Sequence, residues 1–99
     1  MGIRRMVKGL AADLSGTGIN SNCIAPGAIN NTIPDDDRIE PEAINMPWFP
    51  SGRQGLPSDI ANSVVFLSSK MGEYINGETI LVDGGMIATG LGDGRPDDK

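Results

Sequence analysis

The run Thr79-Ile80-Leu81-Val82, closed by Asp83-Gly84-Gly85, constrains the fold of this chain more than any other feature. Apolar residues in succession, with no polar alternation, describe a strand that buries both faces, as in the interior of a parallel sheet. Immediately upstream, Pro57-Ser58-Asp59 has the composition of a helix start. Ile60, Ala61, Val64, Val65 and Leu67 then recur on one helical face, which predicts a helix to about Ser69. A second strand is expected over Ile19 to Ala25, bounded by the turn-forming pair Pro26-Gly27. Strand, helix, strand in that order implies a parallel pair with a right-handed crossover, hence an α/β fold. Two strands leave both faces and both edges of such a pair in need of cover, so the pattern calls for further sheet.

The chain opens on a helix pattern as well. Ile3, Met6, Val7, Leu10, Ala11 and Leu14 make one stripe, and Gly16 and Gly18 provide the residues that end helices, placing the stop near Asp13 to Ser15. No Ser, Thr, Asp or Asn precedes the stripe as a cap. Arg4, Arg5 and Lys8 put positive charge at the positive end of the helix dipole, and Asp13 is at the wrong end too. These are the features expected of the middle and end of a helix whose first turns lie upstream of Met1. Between Ala28 and Leu56, four prolines and a block of acidic residues interrupt any period, predicting a long loop with a helical turn or two. The Gly- and Asp-rich residues 87–99 have little to bury and are expected to be a disordered tail.

Composition excludes several functions. The 99 residues carry a formal net charge of −5 with eight scattered Lys and Arg, which offers nothing to a phosphate backbone. There is no histidine and one cysteine, Cys23, so neither a His-dependent triad nor an internal disulfide can form. Asp35-Asp36-Asp37 lacks the alternating ligands and closing glutamate of a calcium loop, and no metal site is expected. No apolar stretch has the length of a membrane span. The expectation is a cytoplasmic protein that engages neither nucleic acid nor membrane.

Five segments carry a family resemblance: Leu10-Ala11-Ala12-Asp13-Leu14, Gly18 to Gly27, Gly52 to Ala61, Val65-Phe66-Leu67-Ser68-Ser69, and Tyr74-Ile75-Asn76-Gly77 with Val82-Asp83-Gly84-Gly85-Met86. In order and spacing they resemble the second half of a short-chain dehydrogenase/reductase, over roughly residues 2 to 86. The resemblance implies the C-terminal portion of a Rossmann-like, doubly wound parallel sheet, and an NAD or NADP cofactor used to interconvert an alcohol and a carbonyl in a small molecule.

Within that resemblance, Pro26-Gly27-Ala28-Ile29 is the turn that packs on the nicotinamide, with backbone groups near Ile29 holding its carboxamide. Read from the residues alone, Pro26-Gly27 is also simply a strand-ending turn. The family's threonine, five residues after the proline, is replaced here by Asn31, with Thr32 one residue later; either side chain can hydrogen-bond a cofactor. The segment from about 32 to 50 matches a substrate-covering lid, where Met46, Trp48 and Phe49 form either an apolar wall over the substrate or a cover for the core. Arg53 reads as a structural residue before the helix, and Asp83-Gly84-Gly85 as a backbone turn.

The resemblance also implies a tyrosine acid/base assisted by a lysine four residues on, and a glycine-rich turn for the cofactor phosphates. The only tyrosine is Tyr74, whose fourth following neighbour is Glu78. The lysine would align just before Met1, so no residue of this chain is assigned to the proton transfer. Two roles are therefore expected for the chain: part of such an oxidoreductase, or a non-catalytic fragment that docks on an intact relative, on a complementing half, or on itself as a homo-oligomer through the apolar stripe of its first helix.

Overall fold

The computed structural model describes residues 2–33, 36 and 40–89. The main elements are helix α1 (Gly2–Asp13), strand β1 (Cys23–Pro26), helix α2 (Pro57–Ser68) and strand β2 (Thr79–Val82). Short 3-10 turns occur at Pro41–Ile44, Lys70–Gly72 and Ile87–Thr89. The order is the predicted one, and β1 and β2 are hydrogen-bonded neighbours. Cys23 N–H donates to Glu78 O at 2.9 Å and Gly27 N–H to Val82 O at 3.0 Å. Both strands advance four residues in the same sense between those bonds, which makes the pair parallel.

Two compact units are distinguished. The first comprises the described residues of Met1–Ala25 with Ala61–Leu81. Val7 is its buried apolar residue on α1, with Ala11 and Leu14 half-buried beside it. The stripe read from the sequence is therefore only partly used: Ile3, Met6 and Leu10 are exposed, as are Val64, Val65 and Phe66 of α2. α1 ends as expected. Ser15 and Thr17 hydroxyls donate to the carbonyls of Ala12 and Leu14, each at 2.6 Å, and Gly16 takes φ 79° to turn the chain out of the helix.

Strand β1 is shorter than predicted, beginning at Cys23 rather than Ile19. The asparagines are the cause. Asn20 Nδ2 donates to Glu73 O and Asn22 Nδ2 to Ile75 O, both at 2.9 Å. Asn22 Oδ1 accepts from Glu78 N–H at 3.1 Å, and Asn76 Oδ1 from Ser21 N–H at 2.9 Å. Over residues 20–22 these side-chain bonds flank a single backbone bond, Gly77 N–H to Ser21 O at 2.7 Å, because short amides compete locally with sheet pairing.

The second unit comprises the described residues of Pro26–Ile60 with Val82–Lys99. Its buried apolar residues are Ile44 and Phe49. The predicted long loop is folded back on itself. Ile29 forms a parallel bridge with Gly55, and Asn45 an antiparallel one with Arg53. Gln54 N–H donates to Ile44 O at 2.8 Å and Met46 N–H to Gly52 O at 2.9 Å, which closes residues 46–52 into a compact turn. Of the tail, Ile87–Thr89 makes a turn of 3-10 helix, and residues 90–99 lie outside the described residues.

Candidate functional site

The candidate site is built on the Pro26-Gly27 turn at the carboxyl end of β1, where open parallel sheets place their ligands. Residue Gly27 is held from both directions. Its N–H donates to Val82 O, and a Cβ at this position would lie 2.6 Å from Asp83 Cβ and 2.7 Å from Asp83 Cα. Close approach of Asp83 accordingly requires glycine here, a reason for the residue that is independent of any ligand.

Beyond it the chain is clamped by Gly55. Gly55 N–H donates to Ala28 O at 2.9 Å and Asn30 N–H to Gly55 O at 2.8 Å. In such a bridge the N–H and C=O of the central residue point away from the partner strand. Among the described residues, neither the N–H nor the C=O of Ile29 has a backbone partner. An unspent donor and acceptor thus stand side by side at the position the family resemblance singles out.

A cleft of about 190 Å³ is lined by Ala28, Ile29, Gln54, Gly55, Val82 and Asp83, among others. Of the residues expected to meet a cofactor, Ala28 and Ile29 line it, whereas Pro26, Asn31 and Thr32 are exposed outside it. Of the expected lid residues, Met46 and Trp48 are half-buried. Phe49 is 3% exposed and belongs to the core of its unit, the second of the two roles open to it from the sequence. Asp35 and Asp37 lie outside the described residues, and no cluster able to hold a metal occurs among the described ones. Likewise no helix there is long and apolar enough to cross a membrane. Tyr74 is almost fully exposed.

The frame around the cleft is electrostatic as well as steric. Arg53 Nη1 and Nη2 donate to Asp59 Oδ2 and Oδ1 at 2.8 and 3.0 Å, a bidentate pair, while Leu56 N–H donates to Asp59 Oδ2 at 2.8 Å. Asp59 thereby caps the start of α2, bonding back to the residue before the helix. The Arg53 guanidinium holds the Asp59 carboxyl below its ordinary value of 3.8; burial opposes it, and the Leu56 N–H adds a smaller pull in the same direction as Arg53. A carboxyl depressed in the folded state stabilises the fold above its unfolded pKa, and that contribution is lost as pH falls through 3.8 toward the lower folded value. With Arg53 43% exposed, solvent screening limits the effect to roughly 1 kcal/mol or less. Urea unfolding of Asp59→Asn is expected to show a weaker fall in stability across that acid range than the parent chain; identical acid profiles would exclude the role.

Asp83 plays a similar part at the opposite wall. Its Oδ2 accepts from Ile87 N–H at 3.1 Å and its Oδ1 from Gly85 N–H at 3.0 Å. These two bonds, Ile87 first, hold its carboxyl below the usual carboxylate range. The Asp83-Gly84-Gly85 segment is therefore a turn built by its own carboxylate, as read from the sequence.

Asn30, Gln54 and Gly55 of this frame were not singled out from the sequence as site residues. Asn30 Oδ1 accepts from Thr32 N–H at 2.9 Å and from the Thr32 hydroxyl at 2.8 Å, and Asn30 Nδ2 donates to Gln54 Oε1 at 3.1 Å. An Asn two residues before a Thr is the pattern of a side-chain-closed turn, so Asn30 was recognisable in principle. Gln54 and Gly55 are brought to it across more than twenty residues, and no local pattern announces that meeting.

Comparison with known proteins identifies the family. Residues 1–87 match the family described as enoyl-(acyl carrier protein) reductase. A 3-oxoacyl-(acyl-carrier-protein) reductase from Rickettsia bellii is 41% identical over 86 residues, covering 87% of this chain and 36% of that protein. A 2-dehydro-3-deoxy-D-gluconate 5-dehydrogenase from Escherichia coli is 42% identical over 92 residues, covering 89% and 34%. Among solved structures, an Agrobacterium tumefaciens protein with bound NADP superposes with a TM-score of 0.68 at 36% identity, covering 88% of this chain and 36% of that one. The chain spans about a third of the length of these relatives. The parallel pair, the glycine turn at its carboxyl end and the matched residues 1–87 together place the chain in the short-chain dehydrogenase/reductase family.

Proposed function

We propose that this chain provides the nicotinamide-side turn and the lid of an NAD(P)-dependent oxidoreductase that interconverts an alcohol and a carbonyl in a small molecule. The observation that carries the reading is the pair of open backbone groups on Ile29, next to the fixed Pro26-Gly27 turn. An N–H and a C=O side by side are complementary to a primary carboxamide, which has one acceptor and two donors. When bound, the cofactor supplies or accepts the hydride. The part of this chain is to hold the ring: Pro26 and Gly27 set the turn, Ala28 and Ile29 line the cleft and Asn31 and Thr32 offer polar side chains beyond it. Half-buried Met46 and Trp48 have the apolar character needed to exclude water from a reacting carbonyl. The proton transfer is assigned to no residue among these, and the setting is taken to be cytoplasmic.

Titration of this chain into NADH and NADPH, followed by cofactor fluorescence and run beside light scattering, tests the proposal. Saturable binding by a compact species supports it. No binding by a folded chain would overturn it. A second reading, a docking fragment that pairs with a copy of itself or with a complementing half, is favoured by one observation, the exposure of Ile3, Met6 and Leu10 on α1. In that case the scattering mass exceeds that of one chain and cofactor binding is absent.

A further inference from the structure

We propose that Asn76-Gly77 is a site of covalent modification, the intramolecular deamidation of Asn76, and that a clasp on Ser21 holds the reaction in check while the first unit is folded. Asn76 is the only asparagine in the chain that is followed by glycine. With no Cβ on that next residue, its backbone nitrogen can approach the asparagine side chain closely. In the reaction the Gly77 nitrogen gives up its proton and bonds to Asn76 Cγ, while the Cγ–Nδ2 bond breaks and the amide nitrogen leaves with that proton as ammonia. Water then opens the cyclic imide at either carbonyl, which leaves aspartate or isoaspartate at position 76. Water is the sole co-reactant, and Asn76 is exposed to it.

The folded chain occupies both reacting groups. Gly77 N–H donates to Ser21 O at 2.7 Å, and Asn76 Oδ1 accepts from Ser21 N–H at 2.9 Å. One residue thus holds the attacking nitrogen by its proton and the electrophilic amide by its oxygen. Gly77 is itself buried, and its carbonyl accepts from Lys8 Nζ at 3.3 Å. Asn22 ties the chain on either side of the pair, donating to Ile75 O at 2.9 Å and accepting from Glu78 N–H at 3.1 Å. Loss of the Gly77 amide proton begins both ring closure and exchange of that proton with solvent, and a hydrogen-bonded amide undergoes either only when the structure opens locally. The clasp therefore sets the rate, and the product records each opening. Isoaspartate routes the main chain through the former side chain and adds a carbon between Ile75 and Gly77. The Gly77 N–H and the side group at position 76 then no longer meet Ser21 together, so the isoaspartyl chain does not close as before. Aspartate, whose carboxylate still accepts from Ser21 N–H, leaves the clasp in place.

The test incubates the full chain in neutral buffer and in denaturing urea at one pH and temperature, and follows aspartate and isoaspartate at position 76 by peptide mapping and mass spectrometry. Asn76 is expected to deamidate in urea and to do so at least about tenfold more slowly in buffer, in proportion to the protection of the Gly77 amide against exchange. Asn22→Ala removes both flanking ties and should quicken deamidation and Gly77 exchange in buffer by the same factor, about five- to fiftyfold. Ser21→Ala keeps both backbone partners and should leave each rate within about twofold. The isoaspartyl form, separated by chromatography, should show a lower urea midpoint than the unmodified chain and rapid exchange at Gly77. Equal deamidation in buffer and in urea would overturn the proposal, as would no reaction at Asn76 in urea. So would an Asn22→Ala variant in which exchange quickens and deamidation does not, or an isoaspartyl form as stable as the parent. If Asn22→Ala is unfolded outright, both its rates match those in urea, and the comparison of buffer with urea on the parent chain decides.

Discussion

Phe49→Ala should destabilise the second unit by about 3 to 5 kcal/mol, the loss observed when a large aromatic side chain is removed from a core that cannot close over the gap. Phe49 is 3% exposed, and Ile44 is the other buried apolar residue of that unit. The backbone around it has no freedom to fill the space, since Phe49 N–H donates to Met46 O at 3.0 Å and Gly52 N–H to Phe49 O at 2.8 Å. Domains of this size have only a few kcal/mol to lose, so the variant is expected to be largely unfolded in this unit at 25 °C. Urea unfolding followed by the fluorescence of Trp48, the single tryptophan, measures it directly. A loss under about 1 kcal/mol, typical of an exposed position, would return Phe49 to the open wall of a lid.

Gly27→Ala should be nearly as damaging for the opposite reason. The added methyl would sit 2.6 and 2.7 Å from Asp83 Cβ and Cα and 3.3 Å from Asp83 O. Neither the backbone of Asp83 nor that of Gly27 can move without breaking the Gly27 N–H bond to Val82 O. Overpacking against backbone costs roughly 1 to 3 kcal/mol or more, and here it would also pull the turn away from any ligand. Two readouts are expected to change together: a lower urea midpoint, and faster amide exchange at Gly27. If the midpoint stays at the parent value, the approach of Asp83 is looser than described and the glycine answers to the ligand alone.

The sequence carried the element order and the ends of most elements because those rest on local chemistry. α2 begins at Pro57 as its Pro-Ser-Asp start dictates, β2 occupies the apolar run at Thr79–Val82, and α1 stops before Gly16. What was not legible rests on partners distant in the chain. The early part of β1 was misjudged because Asn20 and Asn22 reach residues 73–78, which no window around them contains. Which helix residues are covered was not legible for a related reason. The stripes on α1 and α2 report which residues are apolar, whereas the structure determines that Val7 is covered and Ile3, Met6, Val64 and Val65 are not. At the candidate site the turn itself was legible from Pro26-Gly27. Its clamp, through Asn30, Gln54 and Gly55, depends on a bridge between Ile29 and Gly55 that composition does not encode.

The side-chain bonds of Asn20, Asn22 and Asn76 that prolong the parallel pair span 53, 53 and 55 residues along the chain. No part of that pairing can form until a loop of this size has closed, at an entropic cost of about 3 to 4 kcal/mol before any bond repays it. The chain therefore belongs among slow folders, with α1 and α2 able to form early and the strands meeting late. The same logarithm has a converse. Doubling the loop would add only about 0.6 kcal/mol, so an insertion at an exposed point between β1 and α2 would cost the strand pairing little.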